Sequence, residues 1–132
     1  MPTNRTPATA ATGRHAFVYG TLVDPLCLDE VLGHRHAGER LPARLRGYRR
    51  IADVAYPYPY IVAEHDGCVD GVLLMDLSSD DIRALDEYED LDEGVYRREL
   101  VEVEAWGCGP RTLRFQAYAY LAGPAIQAST AR

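Results

Sequence analysis

The chain has 132 residues, 14 basic against 20 acidic, a formal net charge of −6 and a sequence pI of about 5.1. At roughly 150 residues per domain this is one domain, and its acidic balance argues against a nucleic-acid module, which normally shows a basic face. All 14 positive charges are arginine, so Schiff-base catalysis and a phosphate-loop lysine are both excluded.

Residues 1–14, rich in Thr, Ala and Pro, read as a disordered tail, and residues 124–132 share that character. The predicted folded unit is 15–123, without internal repeat or linker. His15–Gly20 is a short apolar run closed by glycine and suits a buried strand. A helix follows with both ends marked: Asp24 to cap, Pro25 at the first helical position, Gly33 at the C-terminal turn. Residues 43–52 form a weak, arginine-studded strand pattern with a solvated face. Tyr60–Glu64 and Cys68–Asp76 read as two strands joined by a hairpin at His65-Asp66-Gly67. Ser78 with Asp81 three residues on predicts a capping box opening a second helix that runs to about Glu89. Leu100–Trp106 and Thr112–Leu121 make a final strand pair. In the last strand Leu113, Phe115, Ala117, Ala119 and Leu121 share one face. Strands outnumber helices and short antiparallel turns recur, so the expected fold is α+β with a curved or barrel-like mixed sheet.

Cys27, Cys68 and Cys108 are widely spaced with no C-x-x-C, which argues against a disulfide framework and a zinc site. The four histidines read as surface residues rather than metal ligands. The longest apolar runs fall far short of the roughly 18 residues a membrane span needs, and the N-terminus lacks a signal-peptide core. The expectation is a reduced, cytoplasmic compartment. No G-x-S-x-G occurs, and Ser78 and Ser79 are better used to start a helix. Gly107 and Gly109 precede no phosphate-binding helix. Tyr56-Pro57-Tyr58-Pro59-Tyr60 leads straight into a strand and reads as a rigid turn or a tyrosine-lined wall.

Two segments carry candidate chemistry. At 100° per residue Glu89 lies about 20° short of two full turns beyond Ile82, and Asp86 falls about 40° to the other side. A helix that reaches Glu89 aims it along the inward stripe of Ile82 and Leu85. There desolvation and the like charge of Asp86 would raise its pKa into a working range. If the helix frays earlier, Glu89 is solvated or pairs with Arg97 or Arg98. The second segment is Tyr19-Gly20-Thr21-Leu22, which leaves the first strand. Its successive N–H groups suit a carboxylate if they converge; otherwise it is a plain strand-to-loop turn. A glycosidase pair of Asp86 and Glu89 is disfavoured, because one helical turn on one element cannot place carboxylates on opposite sides of a sugar.

Together these residues resemble the gamma-glutamylcyclotransferase-like family, including its AIG2-like branch. The likeness runs from Phe17-Val18-Tyr19-Gly20-Thr21-Leu22 through Tyr58-Pro59, Gly71-Val72-Leu73 and Leu85-Asp86-Glu87-Tyr88-Glu89. It continues in Tyr96, Arg98, Val101 and Val103, then Tyr118-Ala119-Tyr120. Asp90 stands where the family usually has glycine. The resemblance implies a small mixed β-barrel flanked by helices, with a cavity at the Y-G-T-L turn. It implies cleavage of a gamma-glutamyl amide to 5-oxoproline and a free amine, with Glu89 as the catalytic residue. Tyr19, Gly20, Thr21 and Leu22 would form the substrate-binding turn, and Tyr120 would line the cavity. No metal or other cofactor is called for. The expected partner is a small gamma-glutamyl substrate, with neither nucleic acid nor membrane; oligomeric state has no signature in these residues. A non-catalytic domain that binds small metabolites in the same cavity is the alternative.

Overall fold

The computed structural model describes residues 14–52, 59–107 and 111–125. Five strands, β1 (Arg14–Val18), β2 (Arg40–Ile51), β3 (Tyr60–Leu77), β4 (Tyr96–Trp106) and β5 (Thr112–Ala122), close into a barrel in the order β1-β3-β2-β4-β5. All neighbours are antiparallel except β1 and β5, which pair in parallel through Ala16–Tyr118 and Phe17–Ala119 and complete the ring. Two helices, α1 (Pro25–Leu32) and α2 (Ser79–Tyr88), flank the barrel. Among the described residues no helix is long and apolar enough to cross a membrane.

The alternation of strand side chains divides the apolar residues into two cores. Phe17, Leu45, Ile61, Leu73, Val103 and Phe115 fill the barrel, joined by small residues such as Ala117 and Ala119. Their neighbours of opposite parity, among them Ala16, Val18, Leu74, Tyr120 and Ala122, face outward and are covered by Leu28 of α1 and by Ile82 and Leu85 of α2. Burying one such leucine contributes on the order of 1.5–3 kcal/mol, so the outer core fixes both helices against β1, β3 and β5.

The local signals at the helix ends act as the sequence suggests. Asp24 accepts from Leu26 N at 3.0 Å, Pro25 opens α1, and Gly33 closes it at φ 82°, in the left-handed region that glycine enters without a Cβ penalty. Ser78 Oγ accepts from Asp81 N while Asp81 Oδ2 accepts from Ser78 N, both at 3.0 Å, a complete capping box.

Several expectations change. No hairpin forms at His65-Asp66-Gly67, because both flanking runs pair with the same strand: Arg46 opposes Cys68 and Tyr48 opposes Ala63. The intervening residues are a bulge in one 18-residue β3. Gly67 is required there for closeness rather than turning, since a Cβ would lie 2.3 Å from the Tyr48 carbonyl oxygen. β1 stops at Val18, leaving Tyr19 and Gly20 outside the ladder, and it begins at Arg14, the last residue assigned to the N-terminal tail. β2 is longer than predicted. Leu113 is 42% exposed, beyond the packed end of the barrel, while the rest of its predicted face is buried. His15 is buried rather than superficial, with its ring edge-on to Phe115 and Nδ1 accepting from Asp76 N. Residues 1–13, the Tyr56-Pro57-Tyr58 portion of the tyrosine segment, Cys108 and residues 126–132 lie outside the described residues.

Candidate active site

Where β1 ends, Gly20 turns the chain into a single 3-10 turn, Thr21–Val23, closed by Val23 N to Gly20 O and Asp24 N to Thr21 O. α2 ends one residue short of Glu89, which serves as its C-cap at φ −88°, ψ 6° and still donates its N–H to Leu85 O at 2.9 Å. The helix therefore carries far enough to aim Glu89 inward, as the stripe arithmetic requires. Between these two segments lies a cavity of about 160 Å³, the room of a small metabolite rather than a polymer. Tyr19, Gly20, Thr21, Leu22, Glu89 and Tyr120 all line it.

Among the described residues neither an arginine nor a hydrogen-bond donor pairs with the Glu89 carboxylate. Arg98 is taken by Asp86, and Arg97 by Glu99. Burial, with the adjacent Asp90 charge adding to it, raises Glu89 from 4.5 to about 7. The sequence reading gave the like-charge role to Asp86. That residue instead accepts from Arg98 Nη1 at 2.5 Å and from the Tyr120 hydroxyl at 2.8 Å.

Tyr19 and Tyr120 stay protonated. Burial pushes Tyr19 far above its usual range, with the nearby Tyr96 and Glu89 adding. Burial and the hydrogen bond to Asp86 do the same for Tyr120. Tyr19 donates to the Tyr120 carbonyl at 2.7 Å, which ties the turn after β1 to β5. Glu89 is thus the group in the cavity placed to exchange a proton near neutral pH. Among the described residues no cluster of His, Cys, Asp and Glu could hold a metal ion.

Sequence reasoning does not assign Tyr88, Asp90 or Tyr96 to the cavity, yet all three line it, as does Pro59 of the segment read as a rigid turn or a tyrosine-lined wall. Tyr88 and Thr21 hydroxyls lie 2.7 Å apart, joining α2 to the Y-G-T-L turn. Tyr96 reaches the Pro59 carbonyl at 2.7 Å. Tyr88, Tyr96 and Pro59 all belong to the family-like segments, so the available signal was their membership of the pattern. Tyr60 packs in the outer core rather than on the cavity. A second depression, over β2 and β4, is lined by Arg44 and Arg46, which are already paired with Asp70 and Glu104.

Comparison with known proteins gives the same grouping. Residues 16–131 match the family described as Gamma-glutamyl cyclotransferase, AIG2-like. AIG2-like protein C of Arabidopsis thaliana is 33% identical over 87 residues, 66% of this chain and 48% of that protein. The chain spans about half the length of the curated relatives it matches. A solution structure of an Arabidopsis thaliana protein superposes with a TM-score of 0.66 at 27% identity, covering 86% of this chain and 73% of that one. A solved gamma-glutamyl cyclotransferase shares the fold, with a TM-score of 0.60 at 16% identity, covering 84% of this chain and 70% of that one. The chain belongs to the gamma-glutamyl cyclotransferase, AIG2-like family.

Proposed function

We propose that the protein is a gamma-glutamylcyclotransferase-type enzyme that cleaves a gamma-glutamyl amide and releases 5-oxoproline and a free amine. The observation that carries this reading is Glu89: a carboxyl group raised to about 7, without a partner among the described residues, facing a cavity of metabolite size. Family membership supports it.

The reaction asks little of the protein. The substrate's α-amine attacks its own γ-carbonyl and closes a five-membered ring. Tethering removes the entropy cost of bringing the reactants together, and no enzyme nucleophile is required. Ionised Glu89 takes a proton from the α-ammonium, and the freed amine adds to the γ-carbonyl carbon. Glu89 returns that proton to the amide nitrogen as the tetrahedral intermediate expels it, then takes the surplus proton of the ring nitrogen and passes it to the departing amine, which leaves as an ammonium. The bond formed joins the α-nitrogen to the γ-carbonyl carbon, the bond broken joins that carbon to the leaving amine, no water is consumed, and Glu89 ends as it began. A carboxyl near 7 suits both halves of this cycle. The backbone N–H groups of Gly20, Thr21 and Leu22 serve as donors for the α-carboxylate or the developing oxyanion. Tyr19 and Tyr120 wall the cavity, and Thr21 with Tyr88 closes one side of it. The route calls for no cofactor.

The test is 5-oxoproline release from a panel of gamma-glutamyl amides, run beside Glu89→Gln. Release by the parent protein and a loss of roughly 10²–10⁴-fold in the variant, with its circular dichroism unchanged, is the expected result. A fully active variant would remove Glu89 from the chemistry. No release from any amide, by folded protein, would instead favour a domain that binds small metabolites without converting them.

A further inference from the structure

One polar network beside the cavity has no part in the proton transfers described above. The Tyr120 hydroxyl donates to Asp86 Oδ1 at 2.8 Å, and Arg98 Nη1 donates to Asp86 Oδ2. The Arg98 guanidinium in turn lies 4.7 Å from the centre of the Tyr118 ring. Tyr120 lines the cavity whereas Asp86 and Arg98 stand behind it. Three elements are tied together in this way: Asp86 from α2, Arg98 from β4, Tyr118 and Tyr120 from β5.

The direction of these bonds matters more than their number. A phenol has one proton to donate and two lone pairs to accept with, and an ionised carboxylate can only accept. The proton of Tyr120 is therefore committed to Asp86, and its remaining hydrogen-bonding capacity is that of an acceptor. Tyr19 is in the same condition, since its proton goes to the Tyr120 carbonyl. With Glu89, two phenol oxygens give the cavity wall an array of acceptors. Such a wall suits a cation with several N–H bonds and repels a carboxylate. The N–H groups of the Y-G-T-L turn provide the opposite polarity.

We propose that Asp86, held by Arg98, is a positioning residue that accepts the Tyr120 proton and thereby turns the lone pairs of Tyr120 toward the α-ammonium of the gamma-glutamyl group. The inference rests on the cyclotransferase reading and deepens it. It says how the two charged ends of the glutamyl group are told apart. Arg98 holds the Asp86 carboxylate in register with β5, and it touches the substrate nowhere.

Binding measurements separate this from a merely structural role. Calorimetry on the Glu89→Gln protein would compare gamma-glutamyl methylamide with glutaric acid monomethylamide, which differs only in lacking the α-ammonium. The expected preference is about ten-fold for the glutamyl compound, the worth of a hydrogen bond to a charged group. Adding Asp86→Ala or Tyr120→Phe should reduce that preference to about two-fold or less, the affinity for the glutamyl compound falling by more than that for glutaric acid monomethylamide. Arg98→Lys, which retains a cation for Asp86, should keep most of it. Tyr120→Phe leaves the Asp86–Arg98 pair intact and so decides the matter if Asp86→Ala does not fold. An undiminished preference in folded Tyr120→Phe overturns the proposal, as does an undiminished preference in folded Asp86→Ala. If the parent protein releases 5-oxoproline and the preference survives, only the positioning role fails. If it neither releases 5-oxoproline nor binds either methylamide, the cyclotransferase reading fails and the positioning role falls with it.

Discussion

At one end of α2 the Asp81 carboxylate is 8% exposed and fully engaged, with Ser78 N and the His34 ring at hydrogen-bond distance. At the other end Glu89 faces the cavity with no such partner among the described residues. Burial alone would raise both. At Asp81 the Ser78 backbone N–H and the His34 side chain outweigh burial and hold the group below its usual value. At Glu89 burial prevails and Asp90 adds a like charge, so the group rises to about 7. The helix itself sharpens the contrast, because its N-terminal N–H groups favour an anion and its C-terminal carbonyls disfavour one. Two acidic residues at opposite ends of one short helix thus differ in kind. Asp81 is held by its surroundings, and Glu89 is kept ready to exchange its proton.

The largest expected effect of breaking the contrast is the loss of turnover in Glu89→Gln. The same variant should also be more stable than the parent at alkaline pH. Because the folded chain keeps the Glu89 proton to higher pH than the unfolded chain, the stabilisation is full below about 4.5 and is lost as pH rises through about 7. Glutamine has no charge to bury. Thermal melts should therefore coincide near pH 4 and separate by pH 8, the variant leading by roughly 2–3 kcal/mol. Equal melting at pH 8 would mean that the Glu89 charge is solvated, contrary to its place in the cavity wall.

Asp81→Ala acts at the opposite end and in the opposite sense. It removes half of the capping box and leaves Ser78 N and the His34 ring without their acceptor. The cost should be about 1–2 kcal/mol, read by denaturant unfolding at pH 7, with 5-oxoproline release unaffected well below the melting temperature. Since Asp81 is held below its usual value, its contribution is present above about pH 4 and fades as pH falls. The parent and Asp81→Ala curves should accordingly converge in acid, where the Glu89 curves also meet.

What could be read in advance follows how local the governing physics is. The caps of both helices, the reach of α2 to Glu89 and the inward face of β5 depend on residues within a turn or two of each other. The H-D-G segment reads as a hairpin because glycine beside short polar residues serves a turn as well as a bulge. Only the register against β2 distinguishes the two. The part of Asp86 is hidden for a related reason. Helical spacing places it near Glu89 but cannot show that Arg98 and Tyr120 approach from β4 and β5 and engage it. His15 illustrates the same limit, since nothing beside it in the chain announces Phe115.

Asp90 offers the smallest and most selective change. It sits at φ 54°, ψ 46°, a left-handed conformation that costs a residue with a Cβ about 1 kcal/mol. Its N–H donates to Glu87 O, and its carbonyl accepts from Glu93 N and Val95 N, so the backbone turn is held on both sides. The charge and the conformation can be separated by two substitutions. Asp90→Asn tolerates the left-handed region nearly as well and removes only the charge. The pH at which kcat/KM reaches half its plateau, expected near 7 for the parent, should then fall by a fraction of a unit, since burial rather than Asp90 is the larger cause of the Glu89 shift. Asp90→Gly should move the profile equally and also relieve the backbone, raising stability by about 0.5–1 kcal/mol. A profile that does not move in either variant would leave burial as the sole source of the raised Glu89 pKa. A shift in Asp90→Gly alone would assign the effect to backbone placement rather than charge.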